Sequence, residues 1–277
     1  MVPNVADGRE KFDFVVVTTK NVPDVPPTVV DIIAPAVTPG HSAILLLQNG
    51  LNIERPLIKR FPKNVILSGV SMIGATEYEK GKVRHDGEDI LKLGAFNSPQ
   101  VPTETAQKAA KDFVDMYSAG GKVVCDYDDN VLATRWRKLI YNSCYNSIAT
   151  ILRMDTSRMR IYEHVIEDLV RPAMMEIRSI AAADGVDIPE DYLDYIIKVD
   201  PLPTFFKPSM QQDIEKGNFI EYENIVGEPL REAQRLGVAT PVLKVVYGLL
   251  KALQVKVMEE RGLVEPKMTE HSKYRQT

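Results

Sequence analysis

The sequence predicts two unlike halves, an α/β half built on a parallel sheet and an all-helical half, and three observations carry that prediction. The first is a pair of short unbroken apolar runs, FDFVVVTTK (12–20) and SAILLLQNG (42–50), with a Pro-initiated helical pattern, PPTVVDIIAPAV (26–37), between them. Unbroken apolar runs that end in polar residues mark strands buried on both faces. Strand, helix and strand in this length make a parallel pair. The second is that such runs vanish after about Asp129, where helical periodicity takes over. The third is size: 277 residues, 44% hydrophobic and 26% charged, suffice for two cores.

In order, the first half continues with a helix around 51–61 and a strand NVILSGVSMIG (64–74). Two shorter strands near GKVRHDG (81–87) and DILKLGAF (89–96) are expected to pair as a hairpin. An amphipathic helix over 102–118 and a strand KVVCDY (122–127) close this half. The helical half is expected to use roughly 130–152, 160–184, 189–198, 208–217, 220–236 and 240–258. The division therefore falls at 1–127 and 128–277.

Composition excludes several functions. A net charge of −4 gives no electrostatic reason to bind nucleic acid or an anionic membrane. No apolar run reaches the roughly 18 residues of a membrane span, and the opening MVPNVADGREKFDF has no signal-peptide core. Two cysteines, Cys125 and Cys144, provide neither a disulfide framework nor metal-ligand spacing. A cytoplasmic setting is expected.

Chemistry is expected at the carboxyl ends of the early strands, where an open parallel sheet binds ligands. Thr18, Thr19 and Lys20 end one strand, and Gln48, Asn49 and Gly50 end the other. A second polar set interrupts the apolar helix RWRKLIYNSCYNSIATIL (135–152). Lys138, Asn142 and Asn146 recur every four residues, so on a helix of 3.6 residues per turn they form one ladder. A lysine and two amides suit a small carboxylate or keto acid. An exposed stripe on an amphipathic helix is the competing reading. A third set, Ser209, Asp213 and Glu221, sits at helix starts, where capping and the helix dipole also account for such residues.

Taken together, VVVTTK, LLLQNG, GVSMIGA, RWRKLIYNSCYN and SMQQD with Glu221 eight residues on resemble the ketopantoate reductase (2-dehydropantoate 2-reductase) family, in the family's order. The resemblance implies α/β plus all-α architecture: a Rossmann-type parallel sheet, here incomplete, followed by a helical domain of the 6-phosphogluconate-dehydrogenase C-terminal type. It implies NADPH-dependent reduction of a 2-oxo acid. Lys138 would be the general acid, Asn142, Asn146, Ser209 and Asp213 would serve the substrate, and Lys20, Asn49, Ala75 and Glu221 the cofactor. A homodimer through the helical half is implied as well.

Two departures qualify the match. No G-x-G-x-x-G turn, the family's pyrophosphate cradle, occurs in the sequence, so the chain is expected to be a truncated form with cofactor binding impaired. Three residues before Ser209 the family often has a polar substrate contact, whereas here Phe206 follows Phe205; a larger or more apolar substrate is expected. Two other readings stay open. One is a non-catalytic remnant that dimerises through its helices. The other is a β-hydroxyacid-dehydrogenase-like enzyme, sharing Lys138 and Asn142 without needing Ser209 and Glu221.

Overall fold

The structure, a computed structural model, describes residues 11–85, 87–268 and Tyr274. The two early apolar runs become β1 (Phe14–Val17) and β2 (Ala43–Leu46), paired in parallel with Val15 opposite Ile44. Between them lies the short helix α1 (Val29–Ile33), opened by a capping box in which Thr28 and Asp31 exchange hydrogen bonds. The helical pattern over 26–37 yields only five α-helical residues, because Pro35 has no N–H to continue the ladder and the chain tightens to a 3₁₀ turn at Ala34–Ala36. Helix α2 (Arg55–Arg60) leads to β3 (Ile66–Ser71), parallel to β2.

The expected hairpin of the next two runs does not form. Instead β4 (Ala75–Glu79) and β5 (Lys82–His85) make a separate antiparallel ribbon, and β6 (Ile90–Ala95) joins the main sheet. β6 runs antiparallel to β3 and parallel to β7 (Val124–Tyr127), after the helix α3 (Thr103–Ser118), giving the order β1-β2-β3-β6-β7. The reason lies in burial: Leu91 and Leu93 of β6 are enclosed, while every residue of β5 is exposed. A strand with a core face joins the core. Three of the four pairings are thus parallel, the antiparallel one at β3–β6 setting β6 and β7 against the direction of β1–β3, and apolar clusters cover both faces of the sheet.

From Val131 onward the described residues are helical or irregular. Helix α4 (Val131–Leu139) passes through a π-helical stretch, Ile140–Asn146, into α5 (Ser147–Leu152). Then come α6 (Thr156–Ile161), α7 (Arg171–Ala183), α8 (Asp191–Lys198), α9 (Ser209–Glu215), α10 (Glu228–Leu236) and α11 (Pro241–Glu260). π turns at Ile166–Val170 and Glu223–Gly227 precede α7 and α10, each of which has a proline, Pro172 or Pro229, in its first turn. A proline cannot donate to the preceding turn, and a wider turn accommodates that loss. One large apolar cluster, centred on Trp136, Tyr145, Met174 and Ile177, joins these helices. No described helix is long and apolar enough to cross a membrane.

Candidate active site

Three segments place the polar groups. Beyond β2 the chain runs through Gln48, Asn49 and Gly50, with Gly50 at φ +99°. The backbone there lies so close to the helical half that a Cβ on Gly50 would stand 2.5 Å from Asn224 Cβ, and the adjacent Leu51 N–H donates to the Asn224 carbonyl at 2.8 Å. Beyond β1, Asn21 N–H donates to Glu221 Oε1 at 2.9 Å. At the end of β3, the Ser71 carbonyl accepts from Lys138 Nζ at 2.5 Å. The strand ends and the helical half therefore meet at Lys138 and Glu221.

A cavity of about 10 Å³, room for roughly one water, lies at this junction, lined by Gln48, Asn49, Gly50, Val70, Arg135, Lys138, Leu139 and Asn142. Burial pushes the Lys138 amine down to about 8, with the charge of Arg135 adding to the effect and Glu221 opposing it. Glu221 is itself buried, which pushes its carboxyl upward against the pull of Lys20, the Asn21 N–H and the Asn49 side chain. Gln48 Oε1 is buried without a hydrogen-bond partner, while its amide donates to the Thr19 carbonyl at 2.7 Å.

The π-helical stretch alters the ladder the sequence predicts. A π turn takes up an extra residue, so spacings of four fall short of a turn where an α-helix would overshoot it. Ser147 Oγ donates to the Asn142 carbonyl that this widening leaves over, at 3.1 Å. Asn142 and Lys138 line one cavity, whereas Asn146 performs a different task. Its Oδ1 accepts the Met210 N–H at 3.1 Å and its Nδ2 donates to Ser209 Oγ at 3.2 Å. Pro208, the residue before α9, gives that helix no side-chain cap, so Asn146 caps it from a distant part of the chain.

The remaining expected residues divide. Asp213 pairs with Lys20, Nζ to Oδ2 at 2.6 Å, and Lys20 also stands 3.6 Å from Glu221 Oε2. Residues expected on the substrate side and on the cofactor side thus share one ion cluster. Burial raises Asp213 despite Lys20, and works against the Lys20 charge, but Glu221 and Asp213 outweigh it and hold that ammonium above its usual value. Ala75 is not drawn into this group; it starts the exposed ribbon and pairs with His85. Phe205, in the left-handed region at φ +46°, and Phe206 are both nearly half exposed, with the Phe206 carbonyl held by Thr156 N–H at 3.0 Å.

Arg135 is the residue that sequence reasoning misses. It is 3% exposed, with all its nitrogens engaged by Ser68 Oγ and the carbonyls of Gln48, Gly50 and Gly69. The only available signal is its spacing of three from Lys138, on one helix face. Among the described residues no cluster of His, Cys, Asp or Glu could hold a metal.

Residues 2–98 match the ketopantoate reductase PanE/ApbA family, and residues 130–254 match its C-terminal part. The chain is 36% identical to the uncharacterized protein YDL144C of Saccharomyces cerevisiae, over 94% of this chain and 77% of that protein. It is 28% identical to a 2-dehydropantoate 2-reductase of Nostoc, over 79% and 68% respectively. A crystal structure of 2-dehydropantoate 2-reductase from Methylococcus capsulatus superposes with a TM-score of 0.76 at 29% identity, covering 92% of this chain and 78% of that one. With both the sheet half and the helical half matched, the chain belongs to the ketopantoate reductase family of oxidoreductases.

Proposed function

We propose that this chain reduces a 2-oxo acid, 2-dehydropantoate or a more apolar relative, with Lys138 as the general acid and residues 1–127 and 128–277 as its cofactor-facing and substrate-facing units. The observation that supports this most is the enclosed Lys138 amine, held at about 8 beside the Asn49 and Asn142 amides in a polar cavity at the strand ends. At neutral pH it is an ammonium with three donors, of which the Ser71 carbonyl takes one. Reduction of a carbonyl creates an alkoxide, and a nearby ammonium both stabilises that charge and delivers the proton. An amine near 8 gives up its proton far more readily than an ordinary lysine.

Asn142, which makes no protein hydrogen bond from its amide among the described residues, would hold the substrate carboxylate, with Asn146 and Ser209 beside it. Asp213 would act by fixing Lys20. The exposed Phe205 and Phe206 rings, a few residues ahead of Ser209, favour a substrate with an apolar body.

The groups at the strand ends fit the carboxamide end of a nicotinamide, which needs both a donor and an acceptor: Asn49 supplies the donor and the unpartnered Gln48 Oε1 the acceptor. Lys20, Asn49 and the backbone of Ala75, at the start of the exposed ribbon, would line NADPH and Glu221 would reach its nicotinamide end; the cofactor supplies the hydride when bound. Among the described residues there is no glycine-rich cradle for its pyrophosphate. A homodimer belongs to the same proposal, with exposed Val245, Leu249 and Val255 of α11 as surface for a second copy to cover.

Two measurements on the full chain test this. NADPH titration followed by nicotinamide fluorescence should show saturable binding. Oxidation of NADPH by 2-dehydropantoate and by aryl-substituted 2-oxo acids should then depend on Lys138, with Lys138→Ala losing about 10²–10⁴-fold in turnover. Binding without turnover of any 2-oxo acid, or turnover unchanged in Lys138→Ala, would overturn the proposal.

A further inference from the structure

A buried arginine is an expensive way to fill a helix face, and among the described residues no carboxylate is in contact with Arg135 to offset it. Its Nη1 donates to the carbonyls of Gln48 at 3.1 Å and Gly50 at 2.8 Å, the two residues flanking Asn49. Its Nε and Nη2 donate to Ser68 Oγ at 3.2 and 2.9 Å, and Nη2 reaches the Gly69 carbonyl at 3.3 Å. Ser68 and Gly69 lie in β3, just ahead of Ser71, whose carbonyl receives Lys138. One guanidinium therefore ties both strand-end walls of the cavity to the helix that carries Lys138.

The same side chain lines the cavity with Lys138, one turn away. Glu54 is the carboxylate whose charge acts on Arg135, yet Glu54 Oε2 is buried with no hydrogen-bond partner, and no contact ion pair forms. The positive charge is thus left to act along the helix. The charged groups facing Lys138 are Arg135 on its own helix and Glu221 from the loop before α10. Lys20 and Asp213 act on Glu221 in turn. From the sheet, β3 presents the Ser71 carbonyl and the segment after β2 presents Gln48 and Asn49, all uncharged.

We infer that Arg135 is a positioning residue for the reduction, one that fixes the walls around the Lys138 amine and, through its charge, makes that amine a readier proton donor. This rests on the reading of Lys138 as the general acid. Burial pulls the guanidinium itself down only to about 10, so it stays charged wherever Lys138 titrates. A like charge in an enclosed site disfavours the protonated lysine, and a solvent-exposed arginine would not have that leverage.

The test reads Lys138 directly. In the full-length chain labelled with ¹³C,¹⁵N-lysine, the Lys138 side-chain NMR signal is assigned by its loss in Lys138→Ala and titrated between about pH 6 and 10. Arg135→Met keeps an apolar stem and removes the charge; the Lys138 midpoint should rise by about one pH unit. The alkaline limb of the turnover profile should move the same way. Arg135→Gln keeps an amide for the Gly50 carbonyl and reads the same quantity should the Met variant not fold. A folded neutral variant in which Lys138 titrates at the wild-type midpoint overturns the inference, even if its turnover falls. Failure of the underlying reading looks different: Lys138→Ala would keep its turnover while the NMR midpoint still moved in Arg135→Met.

Discussion

Lys20 and Asp213, 193 positions apart, meet with Nζ 2.6 Å from Oδ2, and Glu221 stands 3.6 Å from the same ammonium. One buried and one partly buried carboxylate thus rely on one cation from the end of β1. The sheet half and the helical half are held together at the site by charge as well as by packing.

Lys20→Met should expose that reliance. Without the ammonium, partly buried Asp213 and buried Glu221 lose their shared cation, the Asn21 N–H and Asn49 side chain alone remaining on Glu221, and both already sit above their ordinary values through burial. A raised carboxyl costs stability at pH values where it is ionised, and the cost fades as pH falls and it protonates. Breaking a buried pair typically costs 3–5 kcal/mol; with Lys20 46% exposed, a discount to about 1–2 kcal/mol near pH 8 is appropriate. Urea unfolding at about pH 8 and 5 checks this, the deficit being smaller at the lower pH. A deficit that is equal at both would rule out the carboxylates as its source.

Lys138→Met should stabilise the fold while cutting turnover by about 10²–10⁴-fold. The folded amine titrates near 8 and the unfolded one near 10.5. Between those values the unfolded chain binds more protons, so stability rises with pH; the cost of burying the ammonium is full below about pH 8 and fades towards 10.5. Removing the charge, less one hydrogen bond to Ser71, should gain ~1–3 kcal/mol at pH 7. Denaturant unfolding near pH 7 and pH 10 should show that gain shrinking. A loss of stability at pH 7 would mean that the ammonium is better compensated than its surroundings indicate.

Features that leave a local trace are legible in the sequence. β1 and β2 are unbroken apolar runs with polar ends, and the Lys138 ladder is an interval of four in an apolar helix. Pairing leaves no such trace. The GKVRHDG run is β5, but its partner β4 has no enclosed face to set a period, and Leu91 and Leu93 of β6 show burial without showing which neighbour provides it. π turns add one residue to a turn, which apolar spacing alone does not resolve. The capping task of Asn146 leaves no trace either, since a cap supplied from 64 positions away looks, in sequence, like any other asparagine. Arg135 leaves none, because only the tertiary structure brings four partners to it.

Asn146→Ala should therefore act first on α9. It removes the acceptor for the Met210 N–H and the donor to Ser209 Oγ in one substitution. Loss of a cap costs about 0.5–2 kcal/mol, and a deeply buried site belongs at the upper end. Because Ser209 loses its anchor, KM for the 2-oxo acid should rise more than kcat falls. Thermal unfolding and steady-state kinetics together decide; unchanged stability would return Asn146 to a purely ligand-facing role.

Gly50→Ala tests whether the strand end and the helical half must touch for the site to exist. At φ +99° an alanine is strained whatever its surroundings, and here the surroundings are the backbone of Asn224 and the Cβ fixed to it: the new Cβ would lie 2.5 Å from Asn224 Cβ and 2.6 Å from the Asn224 carbonyl oxygen. Neither can yield, because Asn224 sits in the π turn before α10 and accepts the Leu51 N–H at 2.8 Å. The chain must move at Asn49 and Gly50, which also displaces the Gly50 carbonyl from Arg135. Positive-φ glycine replacements with a steric clash belong with the strongly destabilising substitutions, about 2–4 kcal/mol. If the variant still folds at low temperature, the midpoint of Lys138 should rise as the Arg135 contacts loosen, so that one substitution reports on packing and on proton affinity together. A variant within about 0.5 kcal/mol of the parent, with Lys138 titrating as before, would show that the two halves can part at this point without disturbing the site.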